Sequence, residues 1–485
     1  MSNTATQLLI DGQFVPAAAG STFIRSNPLD GSVATEAAAA GLADAKKAVD
    51  AAQAAFPKWS ALGPNARRAL LNKAADSLAA KAPELIAAMQ AEIGATQAWA
   101  GFNIFLATGM IREAAALTTQ ISGTVIPSDK PGCLAMAIRE PAGVVLGMAP
   151  WNAPVILGVR AIATPLACGN TVVLKASEIC PRTHALIGAA FHEAGLPPGV
   201  VNVVTNATPD APAIVAALIE HPAVRRVNFT GSTRVGRIIA ELCARQLKPV
   251  VLELGGKAPL LVLHDADLGE AVKAAAFGAF MNQGQICMST ERIILVDAVA
   301  DEFIAQFSAK AKTLVAGDPR EGKTPLGAVV DQSAAQHVRD LVDDAVKHGG
   351  RLAAGGYGEG VLMPATVIDY VTPAMRLYRE ESFGPVVAVI RVKDEEAAIA
   401  AANDSEYGLS AAVFSRDIPR ALSVAKRIQS GICHINGPTV HDEAQMPFGG
   451  VKSSGYGRFG GQAGVAEFTE LRWITIETQG GHFPI

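Results

Sequence analysis

Three side chains, far apart in a 485-residue sequence, have between them the chemistry needed to attack a carbonyl group. Cys287 lies in "MNQGQICMSTE" (281–291), a run of small and amide residues with no charge before Glu291. As a thiolate, cysteine is a nucleophile. Glu253 ends the apolar part of "LELGGK" (252–257) and is followed by two glycines. Apolar surroundings raise a carboxylate's pKa and suit it to general-base work. Asn152, in "APWNAP" (149–154), follows an apolar run, and its amide can donate to an oxyanion. Each has a plainer reading. A free cysteine is most often a small buried hydrophobe. Asn152 could cap a helix starting at Pro154, and Lys257 could hold Glu253. The force of the pattern is in the conjunction.

Two further stretches suit a phosphate-bearing cofactor. "VNFTGSTRVG" (227–236) reads as a strand that turns at Gly231 and opens a helix near Ser232. The free N–H groups and dipole of such a helix end favour an anion. The stretch is neither GxGxxG nor a P-loop, so its signal is weak alone. "VVLKASE" (172–178) ends a strand at Lys175, with Glu178 three residues on. A carboxylate there can accept hydrogen bonds from ribose hydroxyls and repels a 2′-phosphate. A surface ion pair is the alternative.

The elements that must position these groups are α/β in type. "DAKKAVDAAQAAFPKW" and "ARRALLNKAADSLAAKAPELIAAMQAEIG" place small or apolar residues three and four apart, so the first part of the chain reads as helical. From Gly143, short Val-rich runs alternate with helical stretches, the pattern of a parallel sheet covered on both faces. A second such block follows Cys287. The expected domains are a Rossmann-like cofactor domain (1–121 and 142–252), an α/β catalytic domain (253–465), and a small β element (122–141 and 466–485). The last has no place in either sheet, and exposed strands of this kind pair with another subunit. A homodimer or dimer of dimers is expected.

The net charge of 41 − 45 = −4 gives no electrostatic reason to expect nucleic acid or an anionic membrane. Residues 141–159 are uncharged, but prolines and glycines interrupt them, so they read as strand, turn and helix. The six cysteines form no CxxC pair, which argues against a zinc site or disulfide framework; no metal is expected. "MSNTATQLLIDGQF" lacks a basic region followed by an apolar run, so a cytoplasmic location is expected.

Seven pieces, in order and at matching spacing, resemble the aldehyde dehydrogenases from end to end: "PWNAP" (150–154), "KASE" (175–178), "FTGSTRVG" (229–236), "LELGGK" (252–257), "NQGQIC" (282–287), "EESFGPV" (380–386) and "PFGGVKSSGYGR" (447–458). The resemblance implies that Cys287 is the nucleophile, Asn152 an oxyanion donor and Glu253 the base. It implies NAD as cofactor, with Lys175 and Glu178 at the adenine ribose and Ser232, in its turn with Gly231 and Gly236, at the pyrophosphate. Glu381 would meet the nicotinamide ribose, Phe383 would lie near the nicotinamide, and Met148, Trp151 and Leu254 beside the cofactor. The implied reaction passes through a thiohemiacetal and a thioester to a carboxylic acid.

Within the family, "WAGFN" (99–103), "GVRAIATPLACGN" (158–170), "GQICMSTER" (284–292) and "NDSEYGLSAAVFSRDIPRAL" (403–422) resemble the salicylaldehyde and vanillin dehydrogenases. The expected substrate is therefore a small aromatic aldehyde, with Trp99, Leu157, Arg160 and Met288 at its pocket. Ala153 and Gly158 are expected to leave width for a flat ring, and Arg160 to pair structurally. A broad or aliphatic substrate range, a relative that passes the acyl group to CoA, and a non-catalytic relative are the competing readings.

Overall fold

The structure is a computed structural model that describes residues 5–480 and 485; the expected ranges beginning at residue 1 and ending at 485 also take in 1–4 and 481–484, which lie outside the described residues. Its central feature is an eight-stranded sheet. Five parallel strands run, in spatial order, Val250–Glu253, Val224–Thr230, Val144–Met148, Thr171–Lys175 and Val201–Val204. The chain enters at Val144–Met148, builds outward to one side through Val201–Val204, and then returns to build the other. The strand order therefore reverses beside Met148, and a crevice forms there at the carboxyl ends of the strands. Lys175, Thr230 and Glu253 end their strands on that same edge. Val144–Met148, Thr171–Lys175 and Val201–Val204 are buried along their whole length and mostly apolar, as strands covered by helices on both faces are.

The chain before the first helix is not helical, contrary to expectation. Four short strands precede the helix Leu42–Ser60. Leu8–Ile10 and Gln13–Val15 form a hairpin that extends the eight-stranded sheet antiparallel past Val201–Val204. Asp11 (φ 52°) and Gly12 (φ 69°) make its two-residue turn. Asp-Gly between apolar runs is a strong hairpin signal, because both turn positions need positive φ. At the far edge Gly455–Tyr456 pairs antiparallel with Val250–Glu253.

A second sheet of seven strands centres on Thr290–Val296, flanked by Ala258–Val262 and Val386–Val392. All its pairings are parallel except Arg351–Ala354 with Thr366–Asp369. Cys287 sits just before its central strand, and Glu253 ends a strand of the first sheet. The candidate site thus lies where the two sheets meet. Thr469–Glu477 pairs with Cys133–Pro141 over nine residues, and Thr124–Ile126 adds a third strand. This small sheet stands apart from the other two and leaves Val125, Leu471, Trp473 and Ile476 exposed. Among the described residues no helix is long and apolar enough to cross a membrane, and no group of three or more His, Cys, Asp or Glu is placed to hold a metal ion.

Candidate active site

The loop that carries Cys287 is strained and pinned. Asn282, Gln283 and Gly284 are all left-handed, at φ 49°, 55° and 71°. The two that are not glycine cost on the order of 1–3 kcal/mol each in that region. Their own amides hold them there. Asn282 Nδ2 donates to the Asn152 carbonyl at 3.0 Å. Gln283 bonds the backbone in both directions, donating to Ala328 O at 2.8 Å and accepting from Gly327 N at 2.8 Å. Gln285 accepts from Val330 N at 2.9 Å and donates to Asn282 O at 3.2 Å. The amides that read in the sequence as a neutral surround for the thiol are therefore its fastenings. Two glycines let the loop close: a Cβ on Gly284 would meet Gly384 O at 2.1 Å, and one on Gly256 would meet Cys287 O at 2.2 Å.

Asn152 does not cap the following helix. The cap of Pro154–Ala167 is Ala153, and the side chain that reaches its first turn is Asn103, whose Oδ1 accepts from Ile156 N at 3.5 Å. Instead Asn152 Nδ2 donates to Gln285 O at 2.9 Å, two residues before Cys287. Its backbone carbonyl also receives Trp99 Nε1 at 2.9 Å. Trp99, stacked on Phe102 at 5.7 Å, thus does more than pack a helix: it fixes the turn that presents Asn152.

Glu253 is not held by Lys257. Lys257 Nζ is paired at 2.7 Å with Glu291, which the sequence reading passed over. Glu291 also accepts from Ser382 N, Ser382 Oγ and Phe383 N, so it anchors the turn bearing Glu381 and Phe383. Glu253, only 2% exposed, has neither carboxylate oxygen hydrogen-bonded among the described residues. Burial raises its pKa well above the usual carboxylate value, and Asp442 adds to the rise against the pull of Arg160 and Arg458. Cys287 is half-buried and opens onto a cavity. Burial pushes its thiol up to about 12, and the nearby Glu253, Glu381 and Asp442 charges reinforce this. Nucleophile and base are thus both shifted toward their neutral forms, and the charge of either disfavours that of the other.

A cavity of about 250 Å³ opens onto Cys287 and Asn152. Trp99, Leu157, Arg160 and Met288 all line it, together with Phe102, Phe277 and Phe448. A cavity of about 150 Å³ already accepts benzene, so this one has room for a substituted ring. Ala153 lines it, but Gly158 does not. A Cβ on Gly158 would meet Ile187 Cδ1 at 2.6 Å and His184 Cδ2 at 3.3 Å, so this glycine faces the next helix rather than the substrate. His184, absent from the sequence reading, joins two parts of the site. Its Nδ1 accepts from Ser177 N at 3.0 Å, which makes Nε2 the protonated nitrogen facing Pro154 O at 3.2 Å. Burial lowers its pKa to about 4, so the ring stays neutral.

The groups expected at the cofactor collect on the crevice edge. Ser232 caps the helix Thr233–Arg245, accepting from Val235 N at 3.4 Å. Gly236 brings that helix against Leu254, whose Cδ2 would lie 2.4 Å from an added Cβ, and Gly231 N donates to Glu253 O at 3.0 Å. Lys175 and Glu178 form an ion pair, and Asn206 Nδ2 donates to Glu178 at 3.0 Å. Glu381 accepts from Gly256 N at 2.8 Å; burial lifts its pKa to about 8. Trp151 and Phe383 meet edge to face at 5.6 Å, with Phe383 at φ 44°. Met148 is buried among Leu252, Leu254 and Val227, away from the cavity lining.

Comparison with known proteins agrees with this geometry. The sequence model described as "Aldehyde dehydrogenase family" matches residues 14–474. A vanillin dehydrogenase of Pseudomonas fluorescens is 62% identical over 478 residues, covering 99% of both chains. The crystal structure of a salicylaldehyde dehydrogenase from Pseudomonas putida G7, complexed with salicylaldehyde, superposes with a TM-score of 0.98 at 49% identity, over 99% of this chain and 100% of that one. PnpE, solved from Pseudomonas sp. WBC-3 and also in complex with nicotinamide adenine dinucleotide, superposes in that complex at 0.95 with 38% identity, over 99% of each chain.

Proposed function

The chain belongs to the aldehyde dehydrogenase family and is an oxidoreductase acting on aldehydes, and on that premise we propose that it oxidises small aromatic aldehydes to carboxylic acids with NAD, through Cys287. The observation that carries the mechanism is a thiol on the cavity wall that feels the charge of a nearby buried carboxyl, Glu253, whose oxygens have no partner among the described residues. The raised pKa makes the ionised form of this carboxyl a stronger base, and its oxygens, without partners among the described residues, are free to take a proton from water. The aromatic substrate is supported by the ring-lined cavity and by the relatives that act on vanillin and salicylaldehyde.

The residues fit a dinucleotide. Ser232 offers a capped helix start beyond a glycine turn, and Glu178, Glu381 and the Trp151–Phe383 pair stand along the same crevice edge. Glu178 would face the adenine ribose, Ser232 the pyrophosphate and Glu381 the nicotinamide ribose. Bound NAD supplies a hydride acceptor. The Cys287 thiol loses its proton to solvent, and its sulfur bonds the aldehyde carbon as the C=O π pair moves onto oxygen. The Asn152 amide, fixed by Trp99 and the cysteine loop, donates to the oxygen of the tetrahedral thiohemiacetal. Loss of hydride leaves a thioester on Cys287. Glu253 then takes a proton from water, which attacks the thioester, releasing the acid and restoring the thiol.

A second copy would pair through the small three-stranded sheet, whose apolar side chains Leu471, Trp473 and Ile476 are otherwise exposed. The test of the function is an assay with benzaldehyde and NAD, with and without CoA. The expected product is benzoate, at a rate indifferent to CoA. An aliphatic aldehyde preferred in kcat/KM would overturn the substrate reading, and acyl-CoA as product would overturn water as acceptor.

A further inference from the structure

The lining of the substrate cavity is apolar except in two places. One is Cys287 with Asn152; the other is Arg160 with Asp442 and His441. Asp442 pairs through Oδ2 with Arg160, and both side chains are less than a tenth exposed, at 8% and 7%. The guanidinium is further held over the Phe448 ring, 4.2 Å from its centroid. Asp442 Oδ1, however, is buried and has no hydrogen-bond partner among the described residues. A buried acceptor left unpaired costs about 1–3 kcal/mol, and native proteins leave few of them. The charge is close to the chemistry, since it acts on both Cys287 and Glu253. A second polar cluster in a ring-sized apolar cavity implies a ligand with a second polar group.

We propose that Asp442 is a specificity-determining residue whose Oδ1 accepts a hydrogen bond from a ring hydroxyl, so that the preferred substrates are phenolic aldehydes rather than benzaldehyde. This rests on the aromatic-aldehyde reading above and sharpens it. The chemistry of the position selects the hydroxyl. An anionic substituent is repelled by the carboxylate. A cationic one competes with Arg160 for the Asp442 carboxylate. A methoxy or fluoro group has the size but no proton to donate. Arg160 is the support: by occupying Oδ2 and stacking on Phe448 it holds the carboxylate so that Oδ1 is the oxygen left unpaired among the described residues.

The experiment compares kcat/KM of the full-length enzyme with NAD for benzaldehyde and its 2-, 3- and 4-hydroxy, methoxy and fluoro derivatives, at a pH below the pKa of each phenol. The same series is run on Asp442→Asn. At one ring position or more, wild type should favour hydroxyl over methoxy and fluoro by about tenfold or more, as sites built around a substrate hydroxyl do. In Asp442→Asn that ratio should fall to about threefold or less, whatever happens to the benzaldehyde rate. Hydroxyl and methoxy derivatives treated alike at every position would overturn the proposal, and a water molecule on Oδ1 would give that result. A hydroxyl preference that survives Asp442→Asn would also overturn it. If Asp442→Asn does not fold, the wild-type series alone decides. Turnover of benzaldehyde without hydroxyl preference removes only this inference, whereas no turnover of any aromatic aldehyde removes the functional reading beneath it.

Discussion

Glu253 and Glu291 are buried to nearly the same depth, 2% and 3% exposed, on either side of the junction between the two sheets, and the protein treats them in opposite ways. Around Glu291 every lone pair is used. Lys257, Ser382 and Phe383 converge on it, and it binds the cysteine strand to the turn carrying Glu381. Around Glu253 nothing converges among the described residues: both oxygens are without a hydrogen-bond partner, and its charge is felt by the thiol. A buried carboxylate with its full set of partners holds structure together; one denied them is kept for a proton. The same contrast divides the molecule more widely. The groups expected to hold the cofactor already have protein partners, as in Lys175–Glu178–Asn206. By contrast, the Glu253 oxygens and Asp442 Oδ1 have no partner among the described residues.

The largest effect should fall on the thiol. Cys287→Ala should lower oxidation below about a thousandth of wild type, because losing a nucleophile removes the covalent route. NAD binding, followed by fluorescence titration, should remain. A variant that binds NAD and still turns over at a tenth of wild type would place the chemistry elsewhere.

The two carboxylates can be set directly against each other. Glu291→Gln should cost about 3–5 kcal/mol in urea unfolding, since it leaves Lys257 charged and buried without its partner. Glu253→Gln should cost less than about 1 kcal/mol, because it breaks no hydrogen bond among the described residues and burial already disfavours the charged form. The sign with pH follows. A carboxyl whose folded pKa is raised stabilises the fold below its unfolded value, and the contribution is lost as pH rises through the folded one. Wild type should therefore lose stability toward alkaline pH relative to Glu253→Gln. Equal costs for the two substitutions would erase the distinction.

On the cofactor side the expected effects are smaller. Glu178 should favour NAD over NADP by about 1–3 kcal/mol in kcat/KM, the range for a buried group left facing an unsuitable partner. Equal efficiency with the two would mean that Lys175, rather than Glu178, meets the 2′ position. His184→Asn keeps an acceptor for Ser177 N but cannot also reach Pro154. It should raise KM for NAD and lower kcat together, by about three- to tenfold, as a residue that joins the ribose turn to the Asn152 turn would. A change in thermal stability alone would leave it a packing residue.

What the sequence made legible was the chemistry with a local signature. Cys287, Glu253 and Asn152 stand out because each breaks an apolar or small-residue run, and Gly231–Ser232 because a strand, a turn and a helix follow one another within ten residues. What it hid was partnership across the chain. Nothing local shows that Lys257 belongs to Glu291, 34 residues away, or that Asp442 reaches Arg160 across 282. Gly158 was misread because spacing along a helix does not say which neighbour a missing side chain admits. The amides of Asn282, Gln283 and Gln285 looked like a bland surround until their backbone partners at 327–330 were known. The N-terminal hairpin is a different case, since Asp11-Gly12 between apolar runs was there to be read.

The central claim is that a substrate acyl group is carried on Cys287 and that Glu253 is needed to release it. It is tested most directly by mixing Glu253→Gln with benzaldehyde and NAD in a stopped-flow instrument and quenching into acid for mass spectrometry. The account predicts a burst of NADH about equal to the enzyme, a slow phase after it, and one benzoyl group on the peptide containing Cys287. A burst with no adduct, or both phases slowed in proportion with Cys287 unmodified, would contradict it.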